Sequence, residues 1–397
     1  MRNIVITGGE LFNKGAQAMT FTAVHEIRRR FPHHQIYLLS EMDMDRPKCE
    51  KDIYAFDFTG WYPIKFARCQ HNVLFRLLCK IRNSKELAQC ENVYRNCDAM
   101  IDVSGYALGA NWSVNNNNRF LNHLEFAKAF GIPVYLMPQS FGPFDFGEGH
   151  PGIDDRCREL LPYCKTILAR EQESYDALVN TYGLTNVRLA PDLVLNSKEI
   201  DLSGIYKTVP DLNLPDIAPN SVAVIPNGRN FTLGNEDHIL SLYQTAIELS
   251  LQQNRTVYLL HHATSDAAIC KQLKESFPDQ DRVVLLEREF SCLEFHALVG
   301  KFDYLIASRF HSIVHAFKNA VPCIALGWAT KYHELLNLFS QSEYILDVRS
   351  NANADTMRTA LEKMNANYTV ESQKISSKLA DVQKNNVFDI LKEKDCT

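Results

Sequence analysis

The 397-residue sequence contains no Cys-x-x-Cys pair and no regular spacing of histidine against its eleven cysteines. Closely spaced ligands build structural zinc sites and ordered even sets build disulfide frameworks, so neither is expected and no metal is assigned. Long apolar runs are missing too: residues 320–326 form one of the longest, far short of the roughly 20 residues a bilayer span requires. At the N-terminus, Ile4-Val5-Ile6 meets Gly8-Gly9-Glu10 almost at once, where a secretory signal needs a longer apolar core. Positive charge is not in excess. With 42 Lys and Arg against 47 Asp and Glu, the formal charge is 42 − 47 = −5. A chain without a basic field cannot release phosphate counterions, so nucleic acid is not expected as a partner. At 46% hydrophobic and 22% charged residues, the composition is that of a globular protein. The expectation is a cytoplasmic protein with reduced thiols.

What is present is alternation. Residues 3–7, 35–39, 99–103, 133–137, 165–169 and 187–190 read as short apolar strands, with amphipathic helices at 16–31, 119–130 and 171–181 among them. Residues 201–220 carry Pro210, Pro215 and Pro219 and read as a linker. The pattern then restarts, with strands at 222–225, 256–260, 282–286, 304–307 and 323–326 and closing helices at 352–365 and 371–391. Such alternation places helices on the faces of parallel sheets. The expected fold class is therefore α/β, as two Rossmann-like, doubly wound domains, 1–205 and 206–397, facing each other across a cleft. Ligands of open α/β sheets bind outside the carboxyl ends of the strands, and the polar motifs fall there.

Residues 63–82 break the rhythm. Lys65, Arg68, Arg76, Lys80 and Arg82 are interleaved with apolar residues, of which Leu74, Leu77, Leu78 and Ile81 share one helical face. Two readings stand: a core-packed helix with a solvated basic side, or a basic amphipathic helix on an anionic membrane surface.

The densest polar cluster is C-terminal. The strand at 304–307 runs into Ser308-Arg309-Phe310-His311-Ser312, and the next strand runs into Gly327-Trp328-Ala329-Thr330-Lys331-Tyr332. Each turn opens a helix, whose N-terminus favours anions. Arg309, His311 and Lys331 converging at one sheet edge make an anion site suited to a phosphate with a carboxylate.

These residues also carry a resemblance. The run from Ser308 to Leu336 is similar to the C-terminal signature of the polysaccharide pyruvyltransferase family. Met137-Pro138-Gln139-Ser140-Phe141-Gly142-Pro143-Phe144, Ala169-Arg170-Glu171 and Pro191-Asp192 resemble its N-terminal turns, in the family's order. The resemblance implies a fold of the GT-B type, with an acceptor-side first domain and a donor-side second domain. It implies transfer of pyruvate from phosphoenolpyruvate, with no further cofactor, to two hydroxyls of a sugar in a surface-polysaccharide precursor. A cyclic ketal forms and phosphate leaves. The acceptor implied is a lipid-linked oligosaccharide, which would bring the protein to the inner face of the membrane. The competing reading is a GT-B glycosyltransferase that uses a nucleotide sugar.

By the same resemblance, Arg170, His311 and Lys331 are the essential set: His311 as general acid or phosphate partner, Lys331 on phosphate, and Arg170 with Arg309 on the donor's anions. Arg229 and Asn227 after the strand at 222–225, His262 after that at 256–260, and Ser312 join them as donor-side candidates. On the acceptor side stand Asn13 and Lys14 before the first helix, Asp102 and Tyr106 in the stretch that ends the strand at 99–103, and Gln139. Trp112, in a loop at 109–118 with five asparagines, adds an aromatic face for a sugar. Where many family members carry an acidic residue after the glycine that opens the first helix, this sequence has Ala16. That departure removes the obvious acceptor base.

Overall fold

The computed structural model of the protein describes residues 2–60 and 84–391; residues 63–82, with their two readings, lie outside the described residues. The chain divides into two compact units, Met1–Pro210 with Asn385–Thr397, and Asp211–Lys384. The second domain expected from sequence ran to the end of the chain, whereas the residues from Asn385 onward belong with the first unit. Asn196 donates to the Asn385 carbonyl at 2.7 Å, and Asn386 donates to Glu26 at 2.7 Å, which holds this tail.

The first unit is built on β1 (Asn3–Thr7), β2 (Gln35–Leu39), β3 (Asp57–Thr59), β4 (Cys97–Asp102), β5 (Tyr106–Leu108), β6 (Val134–Phe141), β7 (Thr166–Ala169) and β8 (Val187–Leu189). Their order is β3-β2-β1-β4-β6-β7-β8, with β5 paired to β6, and these strands pair in parallel. Helices α1 (Lys14–Arg30), α2 (Glu41–Met44), α3 (Lys48–Lys51), α4 (Ser84–Arg95), α5 (Val114–Phe130), α6 (Ile153–Leu160), α7 (Gln172–Tyr182) and α8 (Leu193–Asn196) connect them. Ile4, Val5 and Ile6 are wholly buried, as are Leu136 and Ile167, because helices cover both faces of such a sheet. The helices start and stop on local signals. Asn13 accepts the Gly15 N–H at the start of α1, and α5 and α7 end at left-handed Gly131 and Gly183.

The second unit repeats the plan with β9 (Ser221–Ile225), β10 (Thr256–Leu260), β11 (Val283–Leu286), β12 (Tyr304–Ala307), β13 (Cys323–Gly327) and β14 (Ile345–Asp347), ordered β11-β10-β9-β12-β13-β14 and likewise parallel. Its helices are α9 (Gly228–Leu233), α10 (Glu236–Gln252), α11 (Ala267–Glu275), α12 (Cys292–Val299), α13 (Phe310–Lys318), α14 (Thr330–Leu338) and α15 (Ala354–Val382). Two expectations need correction. The closing helices at 352–365 and 371–391 are one 29-residue helix, α15, ending at Val382. Nothing between them is Gly or Pro, and the buried residues Met357, Ala360, Leu361, Met364, Glu371 and Ile375 keep one stripe going through the gap. The asparagine-rich loop at 109–118 is also partly helical: Ser113 caps α5, so the last four asparagines lie in its first turns.

In each sheet the strand order reverses at one place, between β1 and β4 in the first and between β9 and β12 in the second. Register brings the carboxyl ends level there, with Thr7 opposite Asp102 and Ile225 opposite Ala307. These are the positions at which doubly wound sheets bind ligands.

Candidate functional site

At the reversal in the second sheet, the residues after β12 divide into bolts and cations set at helix starts. Ser308 is a bolt. Its hydroxyl meets Asn230 at 3.0 Å and Tyr243 at 2.5 Å, and its carbonyl accepts from Tyr332 at 2.9 Å and Asn227 at 3.2 Å. Asn227 also caps α9 by accepting the Arg229 N–H at 3.0 Å, so its amide is occupied on both sides. Ser312 is fully buried and donates back to the Arg309 carbonyl at 2.6 Å. Asn227 and Ser312 thus shape the turn and offer little to a ligand. The Arg309 side chain, 27% exposed, forks onto Asp266 with two contacts of 2.7 Å, and Asp266 also accepts the Gly228 N–H at 3.0 Å. Its charge is matched, contrary to the expectation of a guanidinium held open for a donor anion.

His311 and Lys331 are placed differently. Each is the second residue of its helix, α13 and α14, and each is half-buried. Phe310 links them: the Lys331 Nζ lies 5.4 Å from its ring centroid and the His311 ring 5.5 Å from it. Two helix starts, a lysine and an imidazole are thereby gathered at neighbouring strand ends, where an anion is favoured by both dipole and charge. Arg229 is exposed in the first turn of α9 and makes no ion pair among the described residues.

Behind His311 lies a nest of histidines that sequence reading resolved only in part. His262 is buried edge-on to Phe295, with centroids 4.9 Å apart, and its ring lies 6.2 Å from that of His315. His315 and His296 bring their Nδ1 atoms within 3.2 Å, and Asn319 stands 3.1 Å from the His296 Nδ1. Burial, and then Lys318, push His296 down to about 4. Burial, and then His296, His262, His311 and Lys318, hold His315 well below the ordinary histidine value. His262 joins this packed nest rather than standing as an isolated ligand.

At the strand ends of the first sheet, almost every candidate is spent on its neighbours. The Asp102 carboxylate accepts from Thr7 at 2.8 Å, from Gln139 at 2.9 Å, and from the Ser104 hydroxyl and amide at 3.0 and 3.1 Å. Burial raises its pKa although these bonds oppose the shift. Asp102 and Gln139 are therefore a tie across β1, β4 and β6, not the acceptor-facing carboxylate and amide expected. Arg170, its side chain 6% exposed, gives its Nε to Glu171 at 2.9 Å and its Nη1 to Asp192 at 3.0 Å. Its Nη2 reaches Ser140 at 2.7 Å and the Gly105 carbonyl at 3.3 Å. The fork ties four strand ends. Its carboxylates stand in the two turns that sequence had singled out beside it.

Asn13 is an exposed helix cap and Lys14 is buried. Tyr106 donates to the Gly142 carbonyl at 2.8 Å, and its ring centroid lies 5.5 Å from that of Trp112. Gly109 is needed below them, because a Cβ there would sit 2.3 Å from the Gly142 oxygen. Trp112 is half-buried, with no partner for its indole N–H among the described residues. Together Tyr106 and Trp112 keep a partly open aromatic surface beside amide groups.

One residue escaped sequence reading. Glu10 lies three positions past β1, half-buried, and its carboxyl is raised by burial and then by the charge of Asp43. The only signal in the sequence was its place in the Gly8-Gly9-Glu10 turn at a strand end.

Comparison with known proteins bears on both units. The model of the family described as polysaccharide pyruvyl transferase matches residues 13–330. No curated protein matches the sequence significantly. Among solved structures, the glycosyltransferase of kitacinnamycin covers 97% of this chain and 96% of its own at 10% identity and a TM-score of 0.56. Medicago truncatula UGT71G1 complexed with UDP-glucose covers 98% and 95% at 10% identity and a TM-score of 0.55. MnaA of S. aureus with UDP covers 98% and 94% at 10% identity and a TM-score of 0.56. At such identities the likeness is one of fold, two parallel α/β sheets as in GT-B glycosyltransferases and UDP-GlcNAc 2-epimerases. The family match spans most of the sequence, and on it the chain belongs to the polysaccharide pyruvyl transferase family.

Proposed function

We propose that the chain transfers pyruvate from phosphoenolpyruvate onto two hydroxyls of a sugar in a surface-polysaccharide precursor, closing a cyclic ketal and releasing phosphate. The observation that carries this reading is the pair of neighbouring helix starts that present His311 and Lys331 in the second unit. Phosphate takes the Lys331 ammonium and the backbone N–H groups of α13 and α14. The exposed Arg229 takes the donor carboxylate, since Arg309 is committed to Asp266. His311, as imidazolium, gives its proton to the methylene carbon, whose π pair forms the new C–H bond and leaves a cation at the neighbouring carbon.

The first hydroxyl oxygen bonds to that carbon and sheds its proton. The bond from carbon to the phosphate oxygen then breaks with its electron pair on phosphate, and the second hydroxyl closes the ring, shedding another proton. Of the two protons released, one replaces that given by His311 and one leaves on phosphate. The first unit supplies the acceptor's surface through Tyr106 and Trp112, while Arg170, Asp102 and Gln139 hold the strand ends beneath. The acceptor is lipid-linked and the enzyme works at the inner face of the membrane; among the described residues no helix is long and apolar enough to cross one.

The test is incubation with phosphoenolpyruvate and a panel of lipid-linked galactosides, mannosaminides and glucosides. Acceptor-dependent phosphate release with a matching gain of one pyruvyl ketal is expected. Release of nucleoside diphosphate from a UDP-sugar, with phosphoenolpyruvate inert, would overturn the reading.

A further inference from the structure

The reaction needs a base for the acceptor hydroxyl, and the first turn of α1, with Gly15, Ala16 and Gln17 after Lys14, offers no carboxylate. We propose that Glu10, at the carboxyl end of β1, takes the proton of the attacking sugar hydroxyl. The inference rests on the ketal-forming reading above and names the residue that serves its acceptor.

Position is the first observation. Glu10 follows β1, one of the two strands flanking the reversal of the first sheet, where ligands of such sheets bind. The chain reaches it through Gly8, at φ +69°, which passes so close to the neighbouring strand end that a Cβ would lie 2.0 Å from the Ser104 hydroxyl. The backbone there is committed to this path, so Glu10 is held in place rather than left on a loose loop.

The second observation is its lack of a partner. Among the described residues, the Glu10 carboxylate has no hydrogen bond or ion pair, although it is half-buried. Asp43, the charge that acts on it, is itself engaged. Asp43 accepts the Leu11 N–H at 3.0 Å, the Ser40 hydroxyl at 2.7 Å and the Arg46 Nε at 2.7 Å. Asp102, on the adjoining strand end, holds four donors, and Lys14 at the start of α1 is buried. An unpaired carboxylate kept beside a second negative charge works against the fold, which makes it a candidate for function. Burial and then Asp43 raise its proton affinity, the direction a general base requires.

The third observation is what stands beside it. Phe12 is 52% exposed, with the Arg46 guanidinium 3.9 Å from its ring centroid, and such a surface suits the C–H face of a sugar. As the hydroxyl oxygen bonds to the pyruvyl carbon, its proton passes to the Glu10 carboxylate. The carboxylic acid so formed returns that proton through solvent to His311, and the carboxylate then accepts the second when the ring closes and passes it through solvent to the departing phosphate.

The experiment uses the full chain with phosphoenolpyruvate and whichever acceptor of the panel the wild type pyruvylates. Glu10→Gln is expected to lower kcat by about 10²–10⁴-fold. KM for phosphoenolpyruvate should stay at its wild-type value, Tm should stay at or rise above it, and the acid limb of the pH profile should vanish. Glu10→Asp, as a variant that keeps the base, should recover part of the rate with the limb displaced. A Gln variant within about threefold of wild type, or one that slows with the acid limb unmoved, overturns the assignment. A wild type that turns over no acceptor on the panel overturns the functional reading itself, and this inference with it.

Discussion

The strand ends of the two sheets carry the same residue types, yet they use them differently. In the first unit, the buried guanidinium of Arg170 meets two carboxylates, and the buried carboxylate of Asp102 meets four donors. These charges are neutralised within the fold, and their work is to hold strand ends level. In the second unit Arg309 is neutralised in this way, by Asp266, while His311 and Lys331 stand in the first turns of two helices, where an anion is favoured. A polar residue at a strand end is thus no guide to function until its partners are known. Chemistry is expected of those set at helix starts, where an anion is favoured.

Mutation can break this comparison. His311→Gln keeps a donor but cannot deliver a proton, so kcat should fall by about 10²–10⁴-fold. Lys331→Ala should cost roughly ten- to a hundredfold in kcat/KM through a lost charge-assisted contact. Both variants should melt with the wild type, as calorimetry would show.

Arg170→Ala should do the reverse and attack the fold. It strands two buried carboxylates, a loss of about 3–5 kcal/mol, which in a domain of this size lowers Tm by roughly 6–20 °C. An Arg170→Ala protein that melts like the wild type and fails only in catalysis would erase the distinction between the two units.

A smaller effect sharpens it. His296 is held at about 4 against an ordinary value of 6.5, so the folded form stays neutral while the unfolded form gains a proton. Its contribution is absent above pH 6.5 and grows as a destabilisation while pH falls toward 4, reaching up to about 3 kcal/mol. His296→Gln removes that titration. Tm measured across this range should decline less steeply in the variant than in the wild type, and equal slopes would show that the nest does not set acid stability.

The two sheets, their polar strand-end turns and the cations of the second unit were legible in the sequence, because strand-end motifs repeat a local pattern: apolar run, polar turn, helix start. Short strands such as β3, β5 and β14, three residues each, carry too little periodicity to be seen. The continuous α15 was hidden by the polar residues around Asn365 and Asn367, although its buried stripe never lost phase. What could not be read was pairing. Glu171 and Asp192 were in view beside Arg170, but the register that brings both onto one guanidinium comes from β7 and β8 lying side by side. Asp102 looked like a carboxylate facing a ligand until Thr7, Ser104 and Gln139 were placed around it. Glu10 was overlooked for the opposite reason: its interest lies in having no hydrogen bond or ion pair among the described residues.

The tail clamped to Glu26 and Asn196 changes how the protein must be made. The second unit is an insertion in the first, bracketed by Pro210 and Asn385. During synthesis the ribosome therefore completes the whole second unit before the strap that finishes the first one emerges. The first sheet has to wait on the nascent chain with the Glu26 carboxylate still lacking Asn386, a partner that helps hold its pKa at about 2. Domains that fold in order as they emerge owe nothing to residues made later; this one has its last stitch made after its neighbour is already complete.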